Sequence, residues 1–382
     1  MSSKNNIKLL LLPFSWVYGV IIFCRNLLFD AGLIKSESYD IPVITVGNIT
    51  VGGTGKTPHT EYLVRLLSEN YRVAVLSRGY KRKTKGFLLA GTDSGVAEIG
   101  DESYQMKRKF PSLLVAVDEN RRRGISILSE KGASQETDVI ILDDAYQHRY
   151  VKPAISILLI DYYRLINEDF LLPAGNLREP ASQSKRATIL IITKCPTELK
   201  PIELRVLINK FDLYPQQTIY CSTIVYGKLK KLTYSKDHSE TEDSSLVKKT
   251  EHDTVAGLNI LEDLKNKNIP VLIVAGIAAP KTFVRQIQNF CPNARIMLFP
   301  DHHEFGKKDI IRINNQFEKI KQTNGIIITT EKDSMRMIQN DLFKELAAYT
   351  YYPEITISFL DNQGQTFNNK IIDYVRINKR NS

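Results

Sequence analysis

Nine short, nearly uninterrupted apolar runs punctuate the chain: PVITVG, RVAVLS, LLVAV, DVIILDD, ISILLID, TILIITK, VLIVAG, ARIMLF and GIIITT. They are rich in Val, Ile and Leu and lack the polar alternation of a half-exposed strand, so they predict strands buried on both faces of a parallel sheet. Between them apolar residues fall at helical spacing, as at Leu63, Leu66 and Leu67, which predicts helices covering both faces of that sheet. Polar residues cluster where the runs end: Ser77 and Arg78, Asp143 and Asp144, Asp161, Lys194, Asp301 and His302, then Glu331, Lys332 and Asp333. Ligands of open α/β sheets bind at the carboxyl ends of the strands, so these residues mark out a candidate site.

The pattern breaks twice. Residues 9–24, LLLLPFSWVYGVIIFC, carry no charge and follow Lys4 and Lys8. The run falls short of the roughly 20 residues of a spanning helix, contains Pro13, and leads to RNLLFD rather than a small-residue cleavage site. A helix partly inserted in a membrane surface is expected, with a true span and a buried core helix as alternatives. From 227 to 254 the chain turns polar and charge-mixed, as in an exposed insertion. The expected organisation is a membrane-associating helix over 1–30, a phosphate-binding α/β domain over 31–220, and a smaller α/β domain over 221–382.

Composition narrows the function less than the pattern does. Of 382 residues, 43% are apolar and 25% charged, which excludes a disordered chain. The net charge of +10 favours an anionic partner without choosing among nucleic acid, acidic lipid and phosphorylated substrate. Cys24, Cys195, Cys221 and Cys291 form no C-x-x-C pair, so reduced thiols are expected rather than a zinc site or a disulfide framework.

The stretch VITVGNITVGGTGKTPHTEYL misses the strict G-x-x-x-x-G-K-[ST] pattern at one position, Thr50. Gly52, Gly53, Thr54 and Gly55 nevertheless suit a backbone that closes around phosphate oxygens. Lys56 would bring a cation to the β and γ phosphates of a nucleotide and Thr57 a hydroxyl to Mg²⁺. Asp143 and Asp144, after a buried run, supply the acidic half of such a metal site. A GTPase is disfavoured, because Tyr146 and Gln147 stand where its glycine belongs and ITKCP replaces its base-reading N-K-x-D. Membrane-associated partitioning ATPases are the better alternative, although Val51 replaces their signature lysine.

Taken together, VGNITVGGTGKTP, LSRGY, GDE, LDDAYQH, LPAGNLREP, VAGIAAP, FPDHHEF and TTEKD, in this order, resemble the tetraacyldisaccharide 4′-kinase family. The resemblance implies ATP- and Mg²⁺-dependent phosphorylation of the 4′ hydroxyl of an acylated disaccharide 1-phosphate lipid, giving lipid IVA. It also implies work at the cytoplasmic face of a Gram-negative inner membrane, on an anionic surface, with no nucleic acid and no obligate protein partner. Asp101 of GDE matches the family's catalytic carboxylate and His302 its imidazole partner, with His303 the neighbour it must be told from. Arg178 and Glu179 resemble the family's phosphate and metal surroundings. The basic clusters SRGYKRK and NRRRG could receive the substrate phosphate or anionic lipid. The chain departs from common family forms at Lys81, Arg82, Ala145, Tyr146 and Asn176.

Overall fold

The computed structural model describes residues 2–130, 136–233 and 261–380. The chain forms two compact units, one made of Met1–Ile224 with Ile357–Ser382 and the other of Val225–Thr356.

The first unit begins with α1 (Ser2–Asp30) and β1 (Val43–Gly47), followed by α2 (Lys56–Ser68), β2 (Val73–Ser77) and β3 (Leu88–Leu89). Next come α3 (Val96–Ile99), α4 (Asp101–Lys109), β4 (Leu114–Val117), α5 (Arg121–Leu128), β5 (Val139–Asp143) and β6 (Ile155–Asp161). β7 (Ile189–Thr193), α6 (Pro201–Ile208) and the start of β8 (Thr218–Lys231) complete its first pass. The sheet order is β8-β7-β6-β1-β5-β2-β4-β3, parallel except for β3, which pairs antiparallel with β4. β1 lies between β5 and β6, with Val46 opposite Asp143 and Gly47 opposite Leu158. The strand order reverses here, so the end of β1 opens into the crevice where ligands of such sheets bind.

Successive residues of these strands feed different cores. Ile44, Val46, Val75, Ile141 and Ile157 pack with Leu63, Val64 and Leu67 of α2. Ala74, Leu76, Ile140 and Leu142 pack with Ile125 of α5, and Leu158, Ile160, Leu190 and Ile192 with Leu204 and Leu207 of α6. Burial on both faces is why the runs lack alternation.

The second unit holds α7 (Leu261–Asn266), β9 (Val271–Ala275), α8 (Pro280–Gln288), β10 (Arg295–Leu298) and α9 (Lys307–Lys321). β11 (Ile326–Thr329), α10 (Glu331–Met337), α11 (Lys344–Ala347) and β12 (Thr350–Phe359) follow, and α12 (Gly364–Arg380) ends the chain. Its strands run in the order β10-β9-β11-β12. The nine expected runs become β1, β2, β4, β5, β6, β7, β9, β10 and β11. The expected fold, a phosphate-binding parallel sheet plus a smaller α/β unit and an N-terminal helix, is observed.

The domain bounds differ from the expectation. The chain leaves the first unit along β8 and re-enters it along β12, so the segment from Ile357 belongs with the first unit. The cause is α12, whose stripe Phe367, Ile371 and Val375 is buried against the β1 and α2 core. Of the polar stretch 227–254, residues up to Lys231 extend β8, and those from 234 on lie outside the described residues.

α1 runs through Pro13 and is longer than the apolar run that predicted it. Its stretch Leu10–Asp30 is long and apolar enough to cross a membrane by length and composition. Yet its polar residues face inward. Ser15 and Asn26 are buried, whereas Leu10, Phe14, Trp16, Val17, Val20, Ile21 and Phe23 are exposed. Ser15 Oγ donates to Leu171 O at 3.0 Å and accepts from Ala174 N at 2.9 Å, and Tyr18 Oη donates to Arg178 O at 2.9 Å.

Candidate active site

Residues 48–55 leave β1 and turn into α2, and two of the glycines there stand in the left-handed region, Gly52 at φ 94° and Gly55 at φ 85°. L side chains rarely adopt that conformation. Nearly every carbonyl of the turn is held from behind. Asn48 O accepts from Gln147 Nε2, and Ile49 O from Arg178 N at 2.7 Å. Thr50 O accepts from Asn48 Nδ2 at 2.9 Å, and Val51 O from Arg164 Nη1 at 3.3 Å. Gly53 O accepts from Lys194 Nζ, Thr54 O from Thr193 Oγ1 at 2.8 Å, and Gly55 O from His59 Nδ1 at 2.7 Å. In a trans peptide the carbonyl and the following N–H point opposite ways. Holding Gly53, Thr54 and Gly55 by their carbonyls therefore turns the next N–H groups away from those side chains, as an anion-binding nest requires. Thr54 is buried, and its hydroxyl has no partner among the described residues. Thr50 does not disturb the turn, since it forms a bridge with Leu177.

Lys56 Nζ lies 3.5 Å from Asp144 Oδ1 and 3.5 Å from Asn48 Oδ1. Thr60, one turn further along α2, donates to Asp143 Oδ1 at 3.0 Å. Burial pushes the Asp143 carboxyl up to about 7, and the charges of Glu102 and Asp144 push the same way. Such a group of carboxylates is poised for a cation. No three His, Cys, Asp or Glu side chains among the described residues are grouped so as to hold a metal alone. Mg²⁺ needs no such cage, because it is commonly held by one or two carboxylates with phosphate oxygens and water. Asp143 and Asp144 fit that requirement.

A cavity of about 470 Å³ opens beside them, lined among others by Arg78, Tyr80, Asp101, Glu102, Arg121, Asp143, Asp144, Gln147, His148 and Arg178. It unites sequence-predicted residues from separate elements: Asp143 ends β5, Asp101 opens α4, and Arg178 follows the loop docked on α1. Gly100 (φ 82°) turns the chain into α4 so tightly that a Cβ there would sit 2.9 Å from Tyr80 O. The basic clusters separate into two kinds. Arg82 pairs with Glu119 at 2.5 Å, Arg122 with Glu37 at 2.7 Å, and Arg123 chelates Asp118 at 2.7 and 2.8 Å. Arg78 and Arg121 line the cavity instead. Arg121 is buried, with Nε unpartnered among the described residues, and burial lowers its guanidinium to about 10. Burial and the neighbouring arginines lower His148 to about 4, so it is neutral at physiological pH. Sequence reading passed over Glu102, Arg121 and His148 as individuals. All three lay inside quoted motifs, but only their burial and shared cavity distinguish them.

Glu179 takes a different place from that expected. It is buried, and its two oxygens are held by Arg186 and by Arg25 of α1, the latter at 3.4 Å. Its carboxylate thereby ties α1 to the loop whose Arg178 lines the cavity.

In the second unit, the neighbouring histidines differ in their partners. His303 Nε2 is 2.9 Å from Asp309 Oδ2 at the start of α9, and its ring stacks on Phe299 at 4.8 Å. His302, at φ 57°, receives Arg336 Nη2 at Nδ1 over 3.1 Å, and Lys332 Nζ lies 3.2 Å from its Nε2. The guanidinium and the ammonium are both donors, so the ring of His302 is held between two cations. Arg336 is itself held by Asp333 at 2.9 Å, whose other oxygen accepts from Gly276 N at 2.8 Å. Asp101 and His302 stand on different units.

Residues 7–375 match the family described as Tetraacyldisaccharide-1-P 4′-kinase. The chain is 48% identical to the tetraacyldisaccharide 4′-kinase of Phocaeicola vulgatus, over 97% of this chain and 96% of the relative. It is 47% identical to that of Bacteroides thetaiotaomicron, over 97% and 94%. The crystal structure of LpxK from Aquifex aeolicus in complex with ATP superposes with a TM-score of 0.69 at 27% identity, covering 97% of this chain and 99% of that one.

Proposed function

The chain belongs to the tetraacyldisaccharide-1-P 4′-kinase family, and we propose that it moves the terminal phosphoryl group of ATP to the 4′ hydroxyl of a tetraacylated disaccharide 1-phosphate, yielding lipid IVA. The observation that carries this reading is the cavity in which Asp101, Asp143, Asp144 and Arg178 meet, next to the phosphate loop. Phosphoryl transfer needs positioning and charge neutralisation more than covalent chemistry. Gly52, Gly53, Thr54 and Gly55 offer backbone N–H groups to the phosphates, and Lys56 offers a cation. Asp143, Asp144 and Thr57 would hold Mg²⁺, which would neutralise charge on the transferring group. Asp101 accepts the proton of the 4′ hydroxyl, with His302 as the catalytic partner that the family resemblance implies. Arg78, Arg121 and Arg178 give the cavity the positive side that a sugar phosphate needs. The partitioning-ATPase alternative gains no support from Val51 or from the relatives.

The test supplies radiolabelled ATP, Mg²⁺ and the disaccharide 1-phosphate lipid in detergent micelles, and labelled lipid is expected. ATP hydrolysis that responds to membrane or a partner protein while the lipid stays unlabelled would point to the partitioning ATPase.

We also propose that α1 lies on the cytoplasmic face of the inner membrane, attached to an anionic surface rather than spanning it, with no obligate protein partner. Its inward polar face supports this, because Ser15, Tyr18 and Arg25 are bonded to the first unit while large apolar side chains point outward. Replacing Phe14, Trp16, Val20 and Ile21 by serine is expected to weaken binding to phosphatidylglycerol vesicles by more than about 100-fold, since each buried large apolar side chain is worth roughly 1.5–3 kcal/mol. ATP affinity is expected to stay at the parent value. Co-sedimentation equal to the parent's would place membrane binding on another surface.

A further inference from the structure

Three consecutive carbonyls of the phosphate loop are held by side chains, and the holders differ. Lys194 and Thr193, at the end of β7, hold Gly53 and Thr54. Gly55 is held by His59, a residue of the helix that the loop feeds. The backbone N–H of His59 would ordinarily make the first helical bond to that carbonyl, but it lies 3.4 Å away, whereas the ring Nδ1 lies at 2.7 Å. The side chain has taken over most of that bond. A carbonyl only accepts, so Nδ1 carries the proton, and in the neutral ring Nε2 accepts from Ser222 Oγ at 2.9 Å. The ring is 3% exposed, Ser222 is fully buried, and the carbonyl of Ser222 is in turn held by Cys195 N at 2.9 Å. A rigid aromatic ring thus spans from β8 to the Gly55 peptide, both within the first unit.

We propose that His59 is a positioning residue for ATP, a strut that aims the Lys56 N–H and the first turn of α2 at the phosphates. Gly55, at φ 85°, lacks the Cβ that restricts other residues and does not set the plane of the Gly55–Lys56 peptide by itself. Fixing its carbonyl toward the helix interior sends the Lys56 N–H the other way. The Lys56 and Thr57 side chains are launched from that same turn. The inference rests on the assignment of this loop to ATP phosphates.

Two isosteric halves of the ring separate a strut from a mere packing group. His59→Asn places an amide N–H where Nδ1–H stood and so preserves the bond to Gly55. His59→Gln reaches toward Ser222 and abandons Gly55. In full-length protein with micellar lipid, the Gln variant is expected to raise the KM for ATP about 10-fold, the cost scale of an unmade buried hydrogen bond. The Asn variant is expected to stay within about 3-fold of the parent on the same scale. KM for the lipid should not move in either, and the two should melt at similar temperatures. Ser222→Ala, which frees only the far end of the strut, is expected to fall between them. Equal ATP KM values for Asn and Gln, an effect confined to melting temperature, or loss of fold in both would each overturn the strut. A parent enzyme that transfers no label to lipid would instead overturn the kinase reading.

Discussion

Replacing Lys56 by alanine is expected to lower transfer at saturating ATP and lipid by about 1,000-fold, the scale at which loss of one preorganised charge-stabilising group acts on a reacting centre. The loop carbonyls are held by Gln147, Arg164, Thr193, Lys194 and His59 rather than by Lys56. The backbone cradle therefore survives the substitution. What disappears is the cation facing Asp144 at 3.5 Å, the charge meant for the terminal phosphates. The side chain contributes little to the fold, because its contacts to Asn48 and Asp144 are long and Asp144 is 37% exposed. Thermal unfolding is therefore expected to change by only a few degrees, on the scale of an exposed ion pair worth about 1 kcal/mol or less. Single-turnover transfer, ATP titration and a thermal melt separate these effects. Turnover near the parent rate would remove Lys56 from the site and the phosphate-loop assignment with it.

How far the site could be read in advance follows from what each residue answers to. Gly52, Gly55, Lys56 and Thr57 answer to a local backbone demand, so a single short stretch displays them. Eight strands announce themselves because burial on both faces strips their sequences of polar residues, whereas β10, expected to be buried likewise, is an edge strand with Ile296 and Leu298 exposed. β8 and β12 do not, since each mixes buried and exposed positions, and β12 contains Pro353. The return of α12 to the first unit was hidden for a related reason. Its stripe Phe367, Ile371 and Val375 says that one face is buried, but not against which sheet. The side chains that grip the loop from behind arrive from four separate segments, as Gln147, Arg164, the adjacent Thr193 and Lys194, and His59, and each looks like ordinary polarity in its own stretch. LREP gives no sign of Arg25, which reaches Glu179 from the far N-terminal helix. FPDHHEF likewise cannot rank its two histidines. Their partners tell them apart, Asp309 and Phe299 for His303 and Arg336 and Lys332 for His302.

Those different surroundings give the catalytic pair its sharpest test. Asp101→Ala and His302→Ala are each expected to slow single-turnover transfer by about 100- to 10,000-fold, the range of positioned acid–base groups, and the double variant little further. Groups that act as one unit lose their joint contribution once, because either substitution already leaves the other without its function. ATP affinity should survive in all three, since neither residue belongs to the phosphate loop. His303→Ala provides the contrast. Its ring bonds Asp309 and stacks on Phe299 within the second unit, so a lower melting temperature is expected with transfer retained below it. Arg336→Leu should resemble His302→Ala in direction but be milder, because it removes the guanidinium that holds the ring at Nδ1 while leaving the ring in place. Multiplicative losses in the double variant would mean that Asp101 and His302 act separately. A fast His302→Ala enzyme beside a dead but folded His303→Ala enzyme would move the imidazole partner of Asp101 one residue along the chain.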